Sequence, residues 1–575
     1  MKRMKVSDFI AEFIEKKGIS SVFELSGGMI THILDSLHQK TKVNMVTMHH
    51  EQGAAFAAEG FARISGLPGI ALATSGPGAT NLLTGIGSCY FDSTPAIFIT
   101  GQVNRHELKG DRNLRQLGFQ ETDIVTMAKP ITKYCVQVVD PNQIPLTFEK
   151  AFRIALEGRP GPVLIDIPMD VQRTQIDVID FVEDIQSKKK IDTNILVKLA
   201  NEILKARKPL VLSGRGIKAS GSQELFDEFI KDTKIPIITS LLGLDTVSFD
   251  DENRVGFIGS YGNRWANIAF GECDLLIVLG ARLDIRQTGA DTKFIENRAI
   301  YQVDCELEEI NNRVKGCVAI ESDLSDFFNQ FKSNSENYTF ESPVDWIYYI
   351  SDLKQKWPDI SELNPEGINP NVFMHVLSIN SSLAKAYIAD VGSHQMWAAQ
   401  SLELHRCQHF LTSGGMGAMG FSLPAGIGAS IALYKQPVVI LVGDGCMQLN
   451  IQELQTVVRN NLPVKMIVLN NKSLGMIRQF QDSYFESRYQ STYWGYSAPD
   501  FAKVATAYGI ESKTIESTDE MEEAIKWLWT DENAYKPQLL QVMIAPNTNT
   551  YPKIAFGRPI TEMEPLAQPI AMEST

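Results

Sequence analysis

Short apolar runs recur along the chain, and their form limits the folds open to it more than any other feature. Ten stand out: Ile70–Thr74, Ala96–Thr100, Val163–Ile167, Leu210–Ser213, Ile235–Thr239, Leu275–Leu279, Ala386–Ala389, Val438–Val442, Val464–Leu469 and Leu539–Met543. They are bounded by Gly, Pro or Asp and lack the alternation of a strand with one wet face, so each reads as a strand buried on both sides. Between them lie amphipathic stretches such as Glu224–Lys231, Ile451–Arg459 and Met521–Trp527, with apolar residues at helical spacing. Strands that alternate with helices build parallel sheets, because a parallel connection must return to the sheet's starting end. The chain is therefore α/β.

Two polar stretches divide it: Thr174–Asp192, with the run Lys188-Lys189-Lys190, and Lys332–Asn371, rich in Ser, Asn, Glu and Pro. The expectation is three doubly wound parallel-sheet domains, over residues 1–175, 190–332 and 370–555 of the 575. With 54 Lys and Arg against 68 Asp and Glu, the net charge of −14 leaves no basic surplus to neutralise a nucleic-acid backbone. No apolar run approaches the ~18 residues of a membrane span. Seven cysteines without a CxxC pair read as reduced thiols, which favours the cytoplasm.

The most specific motif is Val442-Gly443-Asp444-Gly445-Cys446, followed by a helix, a second strand and Leu469-Asn470-Asn471. Asp444 and Asn471 stand 27 positions apart. One strand–helix–strand unit thus brings both side-chain oxygens to the carboxyl ends of neighbouring strands, where parallel sheets bind ligands. A carboxylate and an amide oxygen, completed by a backbone carbonyl and phosphate oxygens, suit Mg²⁺, and the glycines beside Asp444 let a diphosphate approach. A Gly-Asp-Gly turn alone is common, but the spacing and the two strands favour a metal–diphosphate site.

Two other segments are ambiguous when taken singly. Glu51, in His49-His50-Glu51-Gln52-Gly53, opens a small-residue helix and could be only a first-turn acid favoured by the helix dipole. The adjacent histidines lack helical metal spacing. Thr74-Ser75-Gly76-Pro77-Gly78-Ala79-Thr80-Asn81 is a glycine turn without the lysine of a P-loop or the order of a serine-hydrolase elbow. Gly214-Arg215-Gly216-Ile217-Lys218-Ala219 fits a loose dinucleotide fingerprint, and a tight turn fits as well.

Together these segments closely resemble the thiamin-diphosphate-dependent enzymes, in particular the acetolactate synthase large catalytic subunits. The match runs through His50–Gly53, Thr74–Asn81, Gly101–Val103, Phe119–Asp123, Gly280–Arg282, Asp390–Gln400, Ser413–Pro424, Gly443–Asn471 and Leu474–Gln479. The resemblance implies a pyrimidine-binding first domain, a central nucleotide-binding-like domain and a diphosphate-binding third domain. Because that family holds the cofactor between subunits, it also implies a homodimer or homotetramer, and it leaves room for a small regulatory subunit.

Residue roles follow from the same resemblance. Glu51 would hydrogen-bond the aminopyrimidine and help it remove the thiazolium proton. Met419 would prop the bent cofactor and the Gly417 carbonyl would face its amino group, while His394 and Gln395 would hold the diphosphate. Pro77, Asn81, Gly443, Gly445, Gly475 and Met476 would complete the cofactor site. Asp444, Asn471 and the Ser473 carbonyl would bind Mg²⁺. Pyruvate would lose CO₂, and its two-carbon unit would pass to a second carbonyl substrate beside Phe119 and Gln120, with Arg286 gripping an acceptor carboxylate. An FAD in the central domain would meet Gly214, Gly216, Thr239, Gly280, Arg282, Asp304 and Asp323.

Four departures bear on these expectations. Phe480 stands where the family has a Trp that selects a larger keto acid, Met169 replaces a Lys, and Arg215 replaces a Gly. Asn104–Gly118 is about six residues longer than usual and carries Arg105, His106, Lys109, Arg112 and Arg115. It is either a solvated loop or a receiver for a phosphorylated acceptor such as a keto-sugar nucleotide. Simple decarboxylation of pyruvate is disfavoured by Gln120 and Arg286, and a catalytically dead homologue by Glu51, Asp444 and Asn471 together.

Overall fold

All ten apolar runs become strands in the computed structural model, which describes residues 2–178, 190–290, 296 and 298–570. Eight further strands complete three six-stranded parallel sheets. The first contains β1 (Ser21–Leu25), β2 (Asn44–Thr47), β3 (Gly69–Ala73), β4 (Ala96–Gln102), β5 (Tyr134–Gln137) and β6 (Pro162–Pro168). The central sheet contains β7 (Pro209–Ser213), β8 (Ile237–Thr239), β9 (Arg254–Phe257), β10 (Leu275–Leu279), β11 (Ala299–Asp304) and β12 (Val318–Glu321). The third contains β13 (Ala386–Ala389), β14 (His409–Thr412), β15 (Val438–Gly443), β16 (Val464–Asn470), β17 (Glu511–Ile515) and β18 (Gln538–Met543).

Strand order assigns different tasks to these sheets. The central one runs β9-β8-β7-β10-β11-β12, the dinucleotide-binding order, with its reversal between β7 and β10. The outer two run β2-β1-β3-β4-β6-β5 and β14-β13-β15-β16-β18-β17, which is strand for strand the same arrangement. They are topological twins, although the sequence shows no repeat.

Four helices carry the site: α1 (Glu51–Ser65), α2 (Ser393–Ser401), α3 (Ser422–Ala432) and α4 (Gly475–Tyr484). The imidazole of His50 caps α1 by accepting the Gln52 amide at 3.0 Å. Small residues let α1 and α3 approach until backbones touch: a Cβ on Gly60 would lie 2.1 Å from the Ala425 carbonyl oxygen, and one on Gly428 1.8 Å from that of Ala57. Phe56 and Phe421 meet edge to face in the same seam, with centroids 5.5 Å apart. One apolar core therefore runs through the first and third sheets.

The segment Lys332–Asn371 carries a helix, Val344–Lys356, whose buried Trp346 donates to the Pro209 carbonyl at 3.2 Å. Of the other polar stretch, Gln175–Val178 pairs antiparallel with Lys2–Lys5, while residues 179–189, with Lys188 and Lys189, lie outside the described residues. Among the described residues no helix is long and apolar enough to cross a membrane.

Candidate active site

Adjacent parallel strands β15 and β16 place Gly443 opposite Leu469, so Asp444 and Asn471 leave the sheet at the same end. Asp444 is 2% exposed. Its Oδ1 accepts the Gly445 amide at 3.0 Å, and its Oδ2 is buried without a partner. Burial pushes its carboxyl up to about 6. Asn471 Oδ1 accepts the Ser473 amide at 3.1 Å, and the Ser473 carbonyl accepts the Gly475 amide at 2.9 Å where α4 begins. An unpartnered carboxylate oxygen beside an amide and a carbonyl is a donor set for a hard dication.

Three more buried polar atoms lack partners in the same hollow: Ser393 Oγ, His394 Nε2 and the Tyr496 hydroxyl. The glycines show how close they lie. A Cβ on Gly443 would stand 2.9 Å from the His394 ring, one on Gly475 3.2 Å from Ser393 Oγ, and one on Gly445 3.4 Å from both Met419 Cε and the Tyr496 oxygen. Burial holds His394 down to about 4, so its ring is neutral near neutrality. Gln395 is engaged internally, donating to Thr412 Oγ1 at 2.6 Å. Met476 packs on the core below α4.

Asp390, His394 and Cys446 also lie together, but they form an anchor. Asp390 Oδ1 accepts the Val391 and Gly420 amides, and its Oδ2 accepts the amide and hydroxyl of Ser422. Cys446 Sγ donates to the Val391 carbonyl. Between β14 and α3 this leaves a loop in which Gly417 adopts a φ of +64° with open space beside it.

In the first domain, Glu51 begins α1 and is 7% exposed. Asn81 Nδ2 donates to its Oε2 at 2.9 Å. Pro77 and Gly78 lie in the turn next to it, and a Cβ on Gly78 would stand 3.3 Å from Glu51 Oε1. Gln120 has a φ of +65°, uncommon for a side-chain-bearing residue, and sits against Gly76 of that turn. Phe119 beside it is 79% exposed.

A cavity of about 360 Å³ opens at the reversal of the central sheet. Its walls include Gly216, Gly280, Arg282, Asp304, Asp323 and Arg286, and it extends to Met396 and Gly414 of the third domain. The glycines of the expected fingerprint also pack backbone against backbone. A Cβ on Gly214 would stand 2.1 Å from the Gly280 carbonyl oxygen, and one on Gly216 2.6 Å from Gly280 Cα, so these glycines serve backbone packing between β7 and β10. Thr239 is buried and precedes Ser240, which lines the cavity. Asp323 caps the following helix through the Ser325 amide at 2.8 Å.

Thiamine pyrophosphate enzyme models match all three domains: the N-terminal TPP binding domain over residues 4–127, the central domain over 196–331 and the C-terminal TPP binding domain over 390–542. The acetolactate synthase large subunit of Lactococcus lactis is 33% identical, covering 98% of this chain and 97% of that protein. The acetolactate synthase isozyme 2 large subunit of Escherichia coli is 34% identical over 97% and 99%, and the Pyropia yezoensis large subunit 35% over 97% and 95%. The chain belongs to the thiamine pyrophosphate enzymes.

It is an acetolactate synthase-like member of that family, a carboligase dependent on thiamin diphosphate. The hollow of the third domain fits such a cofactor: four buried, unpartnered polar atoms await an anion and its cation, and glycines line the approach. Two of those atoms belong to residues that motif reading passed over. Ser393 lay within a matched segment, Gly392-Ser393-His394-Gln395, and could have been singled out. Tyr496 carries no local signal, because it reaches the hollow from an irregular stretch after α4.

Proposed function

We propose that this thiamin-diphosphate enzyme decarboxylates pyruvate and transfers the two-carbon unit to a second 2-keto acid, with pyruvate as acceptor giving 2-acetolactate. The observation that carries the acceptor class is Arg286. Its exposed guanidinium lines the cavity between the central and third domains and makes no ion pair among the described residues, leaving its fork for a carboxylate. Bound thiamin diphosphate supplies the carbon nucleophile that takes up the keto acid's two-carbon unit as CO₂ leaves. Glu51, fixed by Asn81, would hold a proton at its carboxylate against the pyrimidine. His394, Ser393 and Tyr496 would grip the diphosphate, and Asp444, Asn471 and the Ser473 carbonyl would hold Mg²⁺. The half-buried Met419 side chain would shield the reacting carbon from water, and Gln120 would face the acceptor.

The functional units are residues 1–175, 190–332 and 370–555. The central cavity, at a dinucleotide-type reversal and lined by Arg159, Arg215 and Arg282, supports FAD there. Exposed Phe119, Met416, Leu449 and Ile477 support a homodimer or homotetramer closing over the site. The large-subunit names of its relatives support a small regulatory partner. All seven cysteines are unpaired, which supports the cytoplasm.

A second reading, transfer to a keto-sugar nucleotide, rests on the Asn104–Gly118 loop. Arg105 is spent on Asp170 at 2.7 Å, but Arg112 and Arg115 are exposed without ion pairs among the described residues, on the loop leading to Phe119 and Gln120. Incubation with thiamin diphosphate, Mg²⁺ and pyruvate separates the readings. Acetolactate from pyruvate alone supports the first, whereas product formed only after a keto-sugar nucleotide is added replaces it with the second.

A further inference from the structure

The loop that presents Gly417 and Met419 is held at both ends by buried aspartates, and they come from different domains. Asp390 of the third domain fixes Gly420 and Ser422, as described. The other end is fixed from the first domain: Asp92 Oδ2 accepts the Gly414 amide at 2.9 Å, and Oδ1 accepts the Gly415 amide at 2.6 Å. Asp92 is 1% exposed. A Cβ on Gly415 would meet Phe91 Cβ at 2.8 Å, so the chain can enter this clasp only as glycine.

Asp92 is itself held by two arginines. Arg63 of α1 lies 3.8 Å from its Oδ2 and donates to the Thr412 carbonyl at 2.7 Å, just ahead of the loop. Glu59, fully buried, lies 3.5 Å from the same guanidinium. From the central domain, Arg215 Nε donates to the Asp92 carbonyl at 2.8 Å, and its guanidinium reaches Thr94 Oγ1 at 3.4 Å. Asp92, Arg215 and Gly414 all face the central cavity. The residue that grips the start of the loop is thus tied to all three domains, by its carboxylate to the first and third and by its main-chain carbonyl to the central one.

We propose that Asp92, locked by Arg63 and Arg215, is a positioning residue that sets the Ser413–Gly420 loop for the cofactor. The loop's middle makes few hydrogen bonds of its own, Ala418 N to Ser413 Oγ at 3.1 Å among them. The direction of the Gly417 carbonyl and the place of Met419 therefore depend on where the two ends are pinned. Two charge-assisted amide bonds to a buried carboxylate are a strong pin, and leaving that carboxylate short of one of them is costly. This role rests on the cofactor site proposed above.

The test is Asp92→Asn, which keeps the shape but turns an NH₂ group toward one of the two amides. Hydrogen exchange of the cofactor-free protein should quicken about tenfold in peptides spanning residues 413–421, the equilibrium worth of one bond to a charged group, with central-sheet peptides unchanged. By calorimetry with Mg²⁺, thiamin diphosphate should bind about tenfold more weakly. Should Asp92→Asn fail to fold, Arg215→Ala frees only the Asp92 carbonyl and Thr94, and should shift both readouts in the same direction by less. Unchanged exchange in the loop overturns the pin, and faster exchange with unchanged affinity overturns the positioning role. A parent protein that binds no thiamin diphosphate overturns the cofactor site along with it, whereas a binding parent with an unaffected Asp92→Asn overturns the positioning role alone.

Discussion

Burial holds the Asp444 carboxyl at about 6, well above the usual carboxylate range, because the folded chain surrounds it with neither cation nor full hydration. The folded state therefore binds this proton more tightly than the unfolded chain. By linkage, metal-free protein loses stability as pH rises from roughly 4 to about 6, and the whole penalty remains above that window. Asp444→Asn removes the penalty. Melted in EDTA at pH 7, the variant should be more stable than the parent by roughly 3 kcal/mol, with the difference fading below about pH 4. Melting curves that coincide at both pH values would refute this account of Asp444. The cost is consistent with a side chain kept for binding, and the Gly-Asp-Gly spacing made that legible in the sequence. Tyr496 was not legible, since an isolated Tyr in a polar stretch looks like any surface residue until the fold brings its oxygen to Gly445.

At the scale of elements, the α1–α3 seam joins stability to the site. The N-terminus of α1 carries Glu51 and its middle meets α3 backbone to backbone at Gly60 and Gly428. Gly428→Ala must push the helices apart. It should destabilise the protein by about 1–3 kcal/mol and weaken thiamin diphosphate binding, read by thermal melts and calorimetry. An unchanged melting point would show that the seam can yield. Legibility follows position in the sheets. Every apolar run read from the sequence is a strand, and ten of the twelve interior strands were found this way. The six edge strands β2, β5, β9, β12, β14 and β17 were not. Edges keep one side in solvent or under loops, so their residues are mixed: Glu511–Ile515 is largely exposed and Tyr134–Gln137 half-buried throughout. The interior strands β1 and β11 were hidden by Glu24 and Gln302, polar residues buried within them.

For the whole molecule, two topologically identical sheets flank one of dinucleotide order, and the cofactor machinery is divided between the twins. On the function proposed above, the first would supply Glu51, Asn81 and the strained Gln120, and the third the carboxylate, imidazole and glycines of a diphosphate site. That division was readable from motifs only by resemblance, because no local pattern links Glu51 to Asp444 across nearly four hundred positions. The assignment of one cofactor to both halves is tested most directly by CO₂ release from pyruvate with thiamin diphosphate and Mg²⁺, comparing the parent protein with Glu51→Gln. The parent should release CO₂, and the variant should lose nearly all of that activity while still binding the cofactor through the third domain. Equal rates in the two proteins, or no CO₂ from the parent with any acceptor, would contradict the account.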